Sequence, residues 1–172
     1  FWSNTGLQVR GRLLAEGTPE QRIHLGREPG ASYVWNGIRF EDSAGNVLRE
    51  VDLAWHNDPA LYLTNATLRA EHVTFIGSFG NVLQGQHSSM VVRFCEFPDL
   101  PYGEHVRGDH LPPDGEWIFE GNVFGTTTGY ADIMDISGGR RPGPVLQVLH
   151  NVFRGGPDDA LDLDGTAAHI EG

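Results

Sequence analysis

Six aspartates crowd into two short runs, Asp132 and Asp135 within Ala131–Gly138, and Asp158, Asp159, Asp162 and Asp164 within Asp158–Gly165. The runs superimpose at a constant offset of 27 residues, so that Asp132 falls on Asp159, Asp135 on Asp162 and Gly138 on Gly165. Carboxylates stacked in this way repel one another. A hard cation relieves the repulsion, because calcium takes roughly six to eight oxygen ligands and carboxylates supply both charge and denticity. Asp132, Asp135, Asp158, Asp159 and Asp162, with Asp164 beside them, are therefore candidate metal ligands, and calcium is the expected cofactor. The competing reading is a solvated acidic ladder whose aspartates bond their own turns.

Upstream, Gly80–Gln84 and Gly103–Arg107 fit the same frame when the loops are allowed to vary in length. Two columns result, Asn81, Glu104, Asp132 and Asp159 in the first, and Tyr62, Gln84, Arg107, Asp135 and Asp162 in the second. Strand alternation gives the second column a direction: Leu161 and Leu163 point one way and Asp162 and Asp164 the other. Leu61, Leu63, Leu83, Val106, Met134 and Ile136 repeat the inward pattern, which leaves the polar set as a stripe facing solvent. Tyr62, Gln84, Glu104 and Arg107 are the substrate-binding candidates. Any proton transfer falls to Arg107, His105 or His110, the last two in the Pro98–Pro113 segment, which is long for a turn and polar enough to meet sugars. Arginine is a poor base at its ordinary pKa, so Arg107 reads more naturally as an anchor for anions. Paired carboxylates also leave glycoside hydrolysis open.

These residues need a scaffold that repeats. A segment ending in phenylalanine recurs at Phe75, Phe97, Phe124 and Phe153, positions 22, 27 and 29 residues apart. No window carries sustained helical spacing, and 23 glycines and 10 prolines are spread along the 172 residues. Short strands stacked as a solenoid meet those conditions, each coil burying its inward side chains against its neighbours. Asn122 and Asn151 occupy equivalent places and are expected to bond along the stack, with two surface turn asparagines as the alternative. Cys95, the single cysteine, is expected to be a buried structural thiol. The sequon Asn65–Thr67 reads as a turn, and none of Trp2, Trp35, Trp55 and Trp117 shares a column that would mark a sugar platform.

The 23 acidic residues outnumber 12 basic ones, all arginine, for a formal charge of −11. That balance disfavours nucleic acid and anionic lipid as partners. No stretch approaches the ~20 apolar residues that span a bilayer. One domain over residues 1–172 is expected, with both ends cut from a longer helix whose remaining coils would be partners.

The runs Leu7–Thr18, Trp35–Phe40 and Val47–Leu53 resemble the first coils of bacterial secreted right-handed parallel β-helix proteins, a loose likeness covering nearly the whole chain. It implies an all-β, single-stranded solenoid of about six to seven coils, secreted or on the cell surface, with a polysaccharide as partner. The spacing of Asp158, Asp159 and Asp162 is similar to the calcium-binding aspartates of β-helical pectate lyases, where an aspartate of the preceding coil completes the site; Asp135 or Asp132 would take that part. The activity implied is β-elimination on a uronic-acid polymer, with calcium neutralising the substrate carboxylate and acidifying the adjacent proton. The catalytic lysine of those enzymes has no counterpart here. A carbohydrate-binding, adhesive or structural β-helix, without catalysis, is the alternative.

Overall fold

Alternating apolar and polar residues, broken every few positions by a residue suited to a sharp bend, make this chain a succession of short strands. The computed structural model describes residues 1–57 and 59–172. In chain order the strands are β1 (Leu7–Val9), β2 (Leu14–Glu16), β3 (Ile23–Gly26), β4 (Ile38–Glu41), β5 (Asn46–Ala54), β6 (Leu61–Thr64), β7 (Thr67–Ile76) and β8 (Leu83–Gln86). They continue with β9 (Ser89–Arg93), β10 (Val106–Asp109), β11 (Trp117–Glu120), β12 (Val123–Phe124), β13 (Met134–Ser137), β14 (Leu146–Leu149), β15 (Val152–Phe153), β16 (Leu161–Asp162) and β17 (Ala168–Glu171). The described residues contain no helix.

Successive passes of the chain feed two sheets in turn. The first has seven strands in the order β1-β4-β6-β8-β10-β13-β16, and the second eight in the order β2-β5-β7-β9-β11-β14-β17, with β3 also on β5; β12 and β15 form a third pair. Every pairing between these strands is parallel. Parallel strands stacked this way are compatible with a β-helix, and the all-β expectation holds. The Pro98–Pro113 segment is not one loop, however, because β10 lies inside it and carries Arg107 into the first sheet.

Bends recur at matching places. Asp42, Asn65, His87 and His110 each follow a first-sheet strand with φ between 46° and 56°, and Gly138 and Gly165 stand at the corresponding positions further on. Asn65 thus sits in a turn, its Nδ2 donating to Asp42 Oδ1 at 3.1 Å. The left-handed region is sparsely used by non-glycine residues, with Asn, Asp and His the most tolerant.

The interior holds the expected inward set: Leu61, Leu63, Leu83, Val106, Met134 and Ile136 are all fully buried. Phe75, Phe97, Phe124 and Phe153 stack face to face along the axis, with centroids 4.8, 4.5 and 5.0 Å apart. Beside them runs a polar ladder. Asn122 N–H donates to Asn151 Oδ1 at 2.9 Å, Asn122 Nδ2 donates to Val92 O at 3.0 Å, and Asn151 Nδ2 donates to Phe119 O at 2.8 Å. One pass earlier Cys95 takes the equivalent place, its N–H donating to Asn122 Oδ1 at 2.9 Å. Burial pushes the Cys95 thiol up to about 12, which makes it an inert packing group. Trp35 and Trp117 are fully buried, and their indole N–H groups donate to Ala54 O and Ser88 O, each at 2.9 Å.

Removing a ring from the middle of the phenylalanine stack leaves a cavity between two neighbours, whereas the half-buried Phe153 has a ring on one side only. Phe124→Ala is expected to lower stability in urea by about 3–5 kcal/mol, and Phe153→Ala by clearly less. Equal losses from the two variants in matched denaturation curves would contradict this packing.

Candidate functional site

Parallel register fixes which side chains become neighbours. Tyr62 pairs with Gln84, Gln84 with Arg107, Arg107 with Asp135, and Asp135 with Asp162, which reproduces the second column residue for residue. The column extends upward through Arg39, opposite Tyr62, and Gln8, opposite Arg39, two residues the sequence reading missed. Their inward neighbours Leu61, Leu83, Val106 and Met134 are buried, so alternation turns this stripe outward. A second outward column runs alongside through Glu41, Thr64, Gln86, Asp109 and Ser137.

The upper part of the stripe pairs a cation with a ring: the Arg39 guanidinium lies 4.6 Å from the centroid of Tyr62, whose hydroxyl donates to Gln86 Oε1 at 3.0 Å. Lower down, Gln84, Gln86, Arg107, Asp109, Asp135 and Ser137 line a depression of about 290 Å³. Arg107 stands 3.9 Å from Glu104 Oε2 and 3.7 Å from Asp135 Oδ2, and half of its side chain is exposed. Contacts that long at a wet surface hold a guanidinium weakly. Arg107 can therefore turn toward a ligand carboxylate without first breaking a tight pair.

Below Arg107 the surface becomes acidic. One carboxylate oxygen from each of Asp132, Asp158 and Asp159 lies within 4.8 Å of the others. Two ligands of one calcium ion, at ~2.4 Å each, are at most ~4.8 Å apart, so the triad fits a single hard cation. Asp135 and Asp162 are not part of this triad; they are register partners on β13 and β16. The five aspartates expected at one centre are thus gathered as a triad and an adjacent pair.

The triad also has a backbone task. Asp132 Oδ1 accepts a hydrogen bond from Asp159 N–H at 3.1 Å, as Asn81 Oδ1 accepts from Glu104 N–H at 2.8 Å two passes earlier. In the first column, Asn81 and Asp132 thus each cap the backbone amide of the residue one pass below. Desolvation raises the pKa of Asp132, with the charges of Asp158, Asp162 and Asp159 adding to the effect. Asp135 is also raised by desolvation; Arg107 opposes the shift, and Asp162, Asp164 and Asp109 reinforce it. Both carboxylates are held in surroundings that penalise their charge, a penalty that a bound cation removes.

The two histidine candidates part company. His105 is not in a polar loop: it is fully buried, its Nε2 2.7 Å from Pro98 O and its ring edge-on to Phe97 and Phe124 at 5.9 and 5.8 Å. Its Nδ1 has no hydrogen-bond partner. A signal for this was present, because the frame that sets Glu104 beside Asn81 and Asp132 also sets His105 beside the buried Val82 and Ile133. His110 is exposed, but it stands at the bend after β10 rather than on the stripe. Of the three residues considered for catalysis, Arg107 alone stands on the outward column.

No protein-family model, no curated protein and no solved structure matches the chain.

Burial pushes the pKa of His105 down to about 4, so the fold accepts it only as the neutral ring. The unfolded chain takes up the proton near pH ~6.5, and the stability associated with neutral His105 is lost as pH falls from there toward 4, by up to about 3 kcal/mol. His105→Phe removes this dependence, and its stability relative to the parent should rise steadily between pH 6.5 and 4 in thermal melts. A constant difference across that range would show that His105 is not held neutral by burial.

Proposed function

We propose that the chain forms about six to seven coils of a right-handed parallel β-helix, in an extracellular setting, and binds an acidic polysaccharide of uronic-acid type. The outward face of the seven-stranded sheet is the binding surface, and the acidic end holds calcium. The observation that carries this reading is the unbroken in-register column Gln8, Arg39, Tyr62, Gln84, Arg107, Asp135, Asp162. A column of this kind offers one group about every 4.8 Å along the stack, a repeat suited to an extended polymer lying across the strands.

Each residue type has a task in such a complex. Arg39 and Arg107 match carboxylates with two parallel N–H donors, Tyr62 offers a ring, and Gln84 and Gln86 can both donate to and accept from hydroxyls. Asp132, Asp158 and Asp159 would hold the cation, with Asp135 and Asp162 alongside as ligands or as the wall that the cation neutralises. Calcium would supply the positive charge through which a uronate carboxylate approaches this acidic end.

β-Elimination is a second reading, favoured by the position of Arg107 next to Asp135 on the adjacent strand. In that case calcium would acidify the proton adjacent to the neutralised carboxylate, and a base would remove it. Arg107 serves there as the anchor that orients the carboxylate, since its guanidinium keeps its proton at neutral pH.

Calorimetric titration with calcium is expected to show one site with a dissociation constant on the order of 10⁻⁴ to 10⁻³ M, the range of extracellular calcium modules. Asp132→Asn with Asp159→Asn should abolish that heat. Failure to bind at several millimolar calcium would sink the metal assignment and leave a binding face without a cation. Absorbance near ~235 nm on pectate or alginate, from the unsaturated product, would favour elimination over binding alone.

A further inference from the structure

The loops that lead into the first sheet carry an aromatic residue at one fixed place on three successive passes. Phe79, Tyr102 and Tyr130 each stand four residues before the first residue of β8, β10 and β13 respectively. All three are exposed, at 39%, 55% and 97%. The passes are locked together here. A Cβ on Gly103 would meet the backbone of Gly80 and Asn81 at 2.8 Å, and Glu104 N–H donates to Asn81 Oδ1 at 2.8 Å. One pass further on, Thr128 donates its N–H to Leu100 O at 3.2 Å and its hydroxyl to Pro101 O. The three aromatic positions therefore follow one another along the axis, pass by pass, at about 4.8 Å each. The fold does not require aromatic residues there, since Asn57 and Pro157 hold the same place ahead of β6 and β16.

Single exposed apolar residues are ordinary on a protein surface, but these three are a row, and the row has a particular neighbour. The same three strands, β8, β10 and β13, supply the Gln84, Arg107 and Asp135 that line the Arg107 depression. Asp132 of the acidic triad lies two residues after Tyr130, no more than about 7 Å of chain away. Toward the earlier passes Phe79 leans on Trp55, with ring centroids 6.5 Å apart, and the Arg27 guanidinium lies 4.3 Å from the Trp55 centroid. An aromatic edge thus borders the polar face over the passes where that face carries its arginine and its aspartates. Core packing does not account for Tyr130, whose side chain is almost wholly in solvent.

We propose that Phe79, Tyr102 and Tyr130 form a stacking rail for the sugar rings of the bound polymer, an inference that rests on the polysaccharide reading above. The face of an aromatic ring is electron-rich and meets the weakly positive C–H groups on the apolar face of a pyranose, while a tyrosine hydroxyl can still bond a sugar hydroxyl. One aromatic per pass suits a chain of sugar rings running along the axis. Carboxylates of the stacked sugars then point across the face, toward Arg107 and toward the cation held by Asp132, Asp158 and Asp159. The rail selects for ligands that present flat sugar faces. A polyanion without rings, such as an oligomer of glutamate, engages the arginine and calcium sites only.

The test is calorimetric titration of the full chain, in millimolar calcium, with a galacturonate oligomer and separately with a glutamate oligomer of similar length. Tyr102→Ala and Tyr130→Ala should each weaken binding of the sugar oligomer by about three- to tenfold, whereas Tyr102→Phe and Tyr130→Phe, which keep the ring, should cost less than about twofold. Arg107→Gln should weaken both oligomers, because it removes the anchor for carboxylates of either kind. Phe94→Asn is the control: Phe94 is exposed, lies at the bend after β9 away from the rail, and has a φ of 53° that asparagine tolerates. It should leave sugar affinity unchanged. Sugar binding that falls with Arg107→Gln but is unchanged in both alanine variants would overturn the rail and leave the polysaccharide reading standing. Losses as large in the phenylalanine variants as in the alanine variants, or equal for the two oligomers, would also overturn it, since the rings would then not be what the sugar meets. A parent that binds no sugar oligomer at millimolar concentration would overturn the rail and the polysaccharide reading together.

Discussion

Backbone hydrogen bonds between successive passes are the constraint on which the rest of this molecule depends. Each inner first-sheet strand, from β4 to β13, is held on both sides by parallel neighbours at a fixed register, so a side chain's place on the surface is decided by its offset within its own pass. A slip of one residue would exchange the buried leucines for the outward stripe. The interior ladders guard against such a slip. Phenylalanine stacks on phenylalanine, and Asn122 and Asn151 bond the backbone of the passes above them, so a misregistered pass would bury unpaired amide groups.

This repetition lets an acidic surface exist at all. Asp135 and Asp162 are brought side by side because their strands pair, and desolvation together with neighbouring carboxylates raises the pKa of Asp135 and Asp132. Arg107, one strand before Asp135, offsets part of that cost without locking itself into a tight ion pair. The stripe passes from Arg39 and Tyr62, through two glutamines, to Arg107 and then to the aspartates. On the proposed reading, an acidic polymer would meet cationic anchors first, and at the far end would need a cation to be tolerated.

Legibility in the sequence followed loop length. Where the passes are nearly equal in length, as between Asp132–Gly138 and Asp159–Gly165, the offset exposes the pairing directly, and the inward leucines, the phenylalanine stack and the asparagine ladder could all be read. Gln8 and Arg39 escaped because the loops between the early passes vary, and a column cannot be followed across an unknown insertion. His105 was misplaced for a different reason. Its polar neighbours suggest a loop, yet the positions before the inner strands β6, β8 and β13 turn inward, as Ala60, Val82 and Ile133 show. The division of the aspartates into a triad and a pair could not be read at all, because it depends on how the bend before β13 folds the Asp132 carboxylate onto the Asp159 amide and beside Asp158.

The most direct test of the central claim is to map where an acidic oligosaccharide touches the chain. Isotope-labelled protein would be titrated with a uronic-acid oligomer of about four to six sugars, long enough to cross several strands at ~4.8 Å each, in the presence of calcium. The account predicts shifts in the signals of Arg39, Tyr62, Gln84 and Arg107, with quiet signals along the eight-stranded sheet. Shifts confined to that second sheet, or none at all at millimolar oligomer, would contradict it.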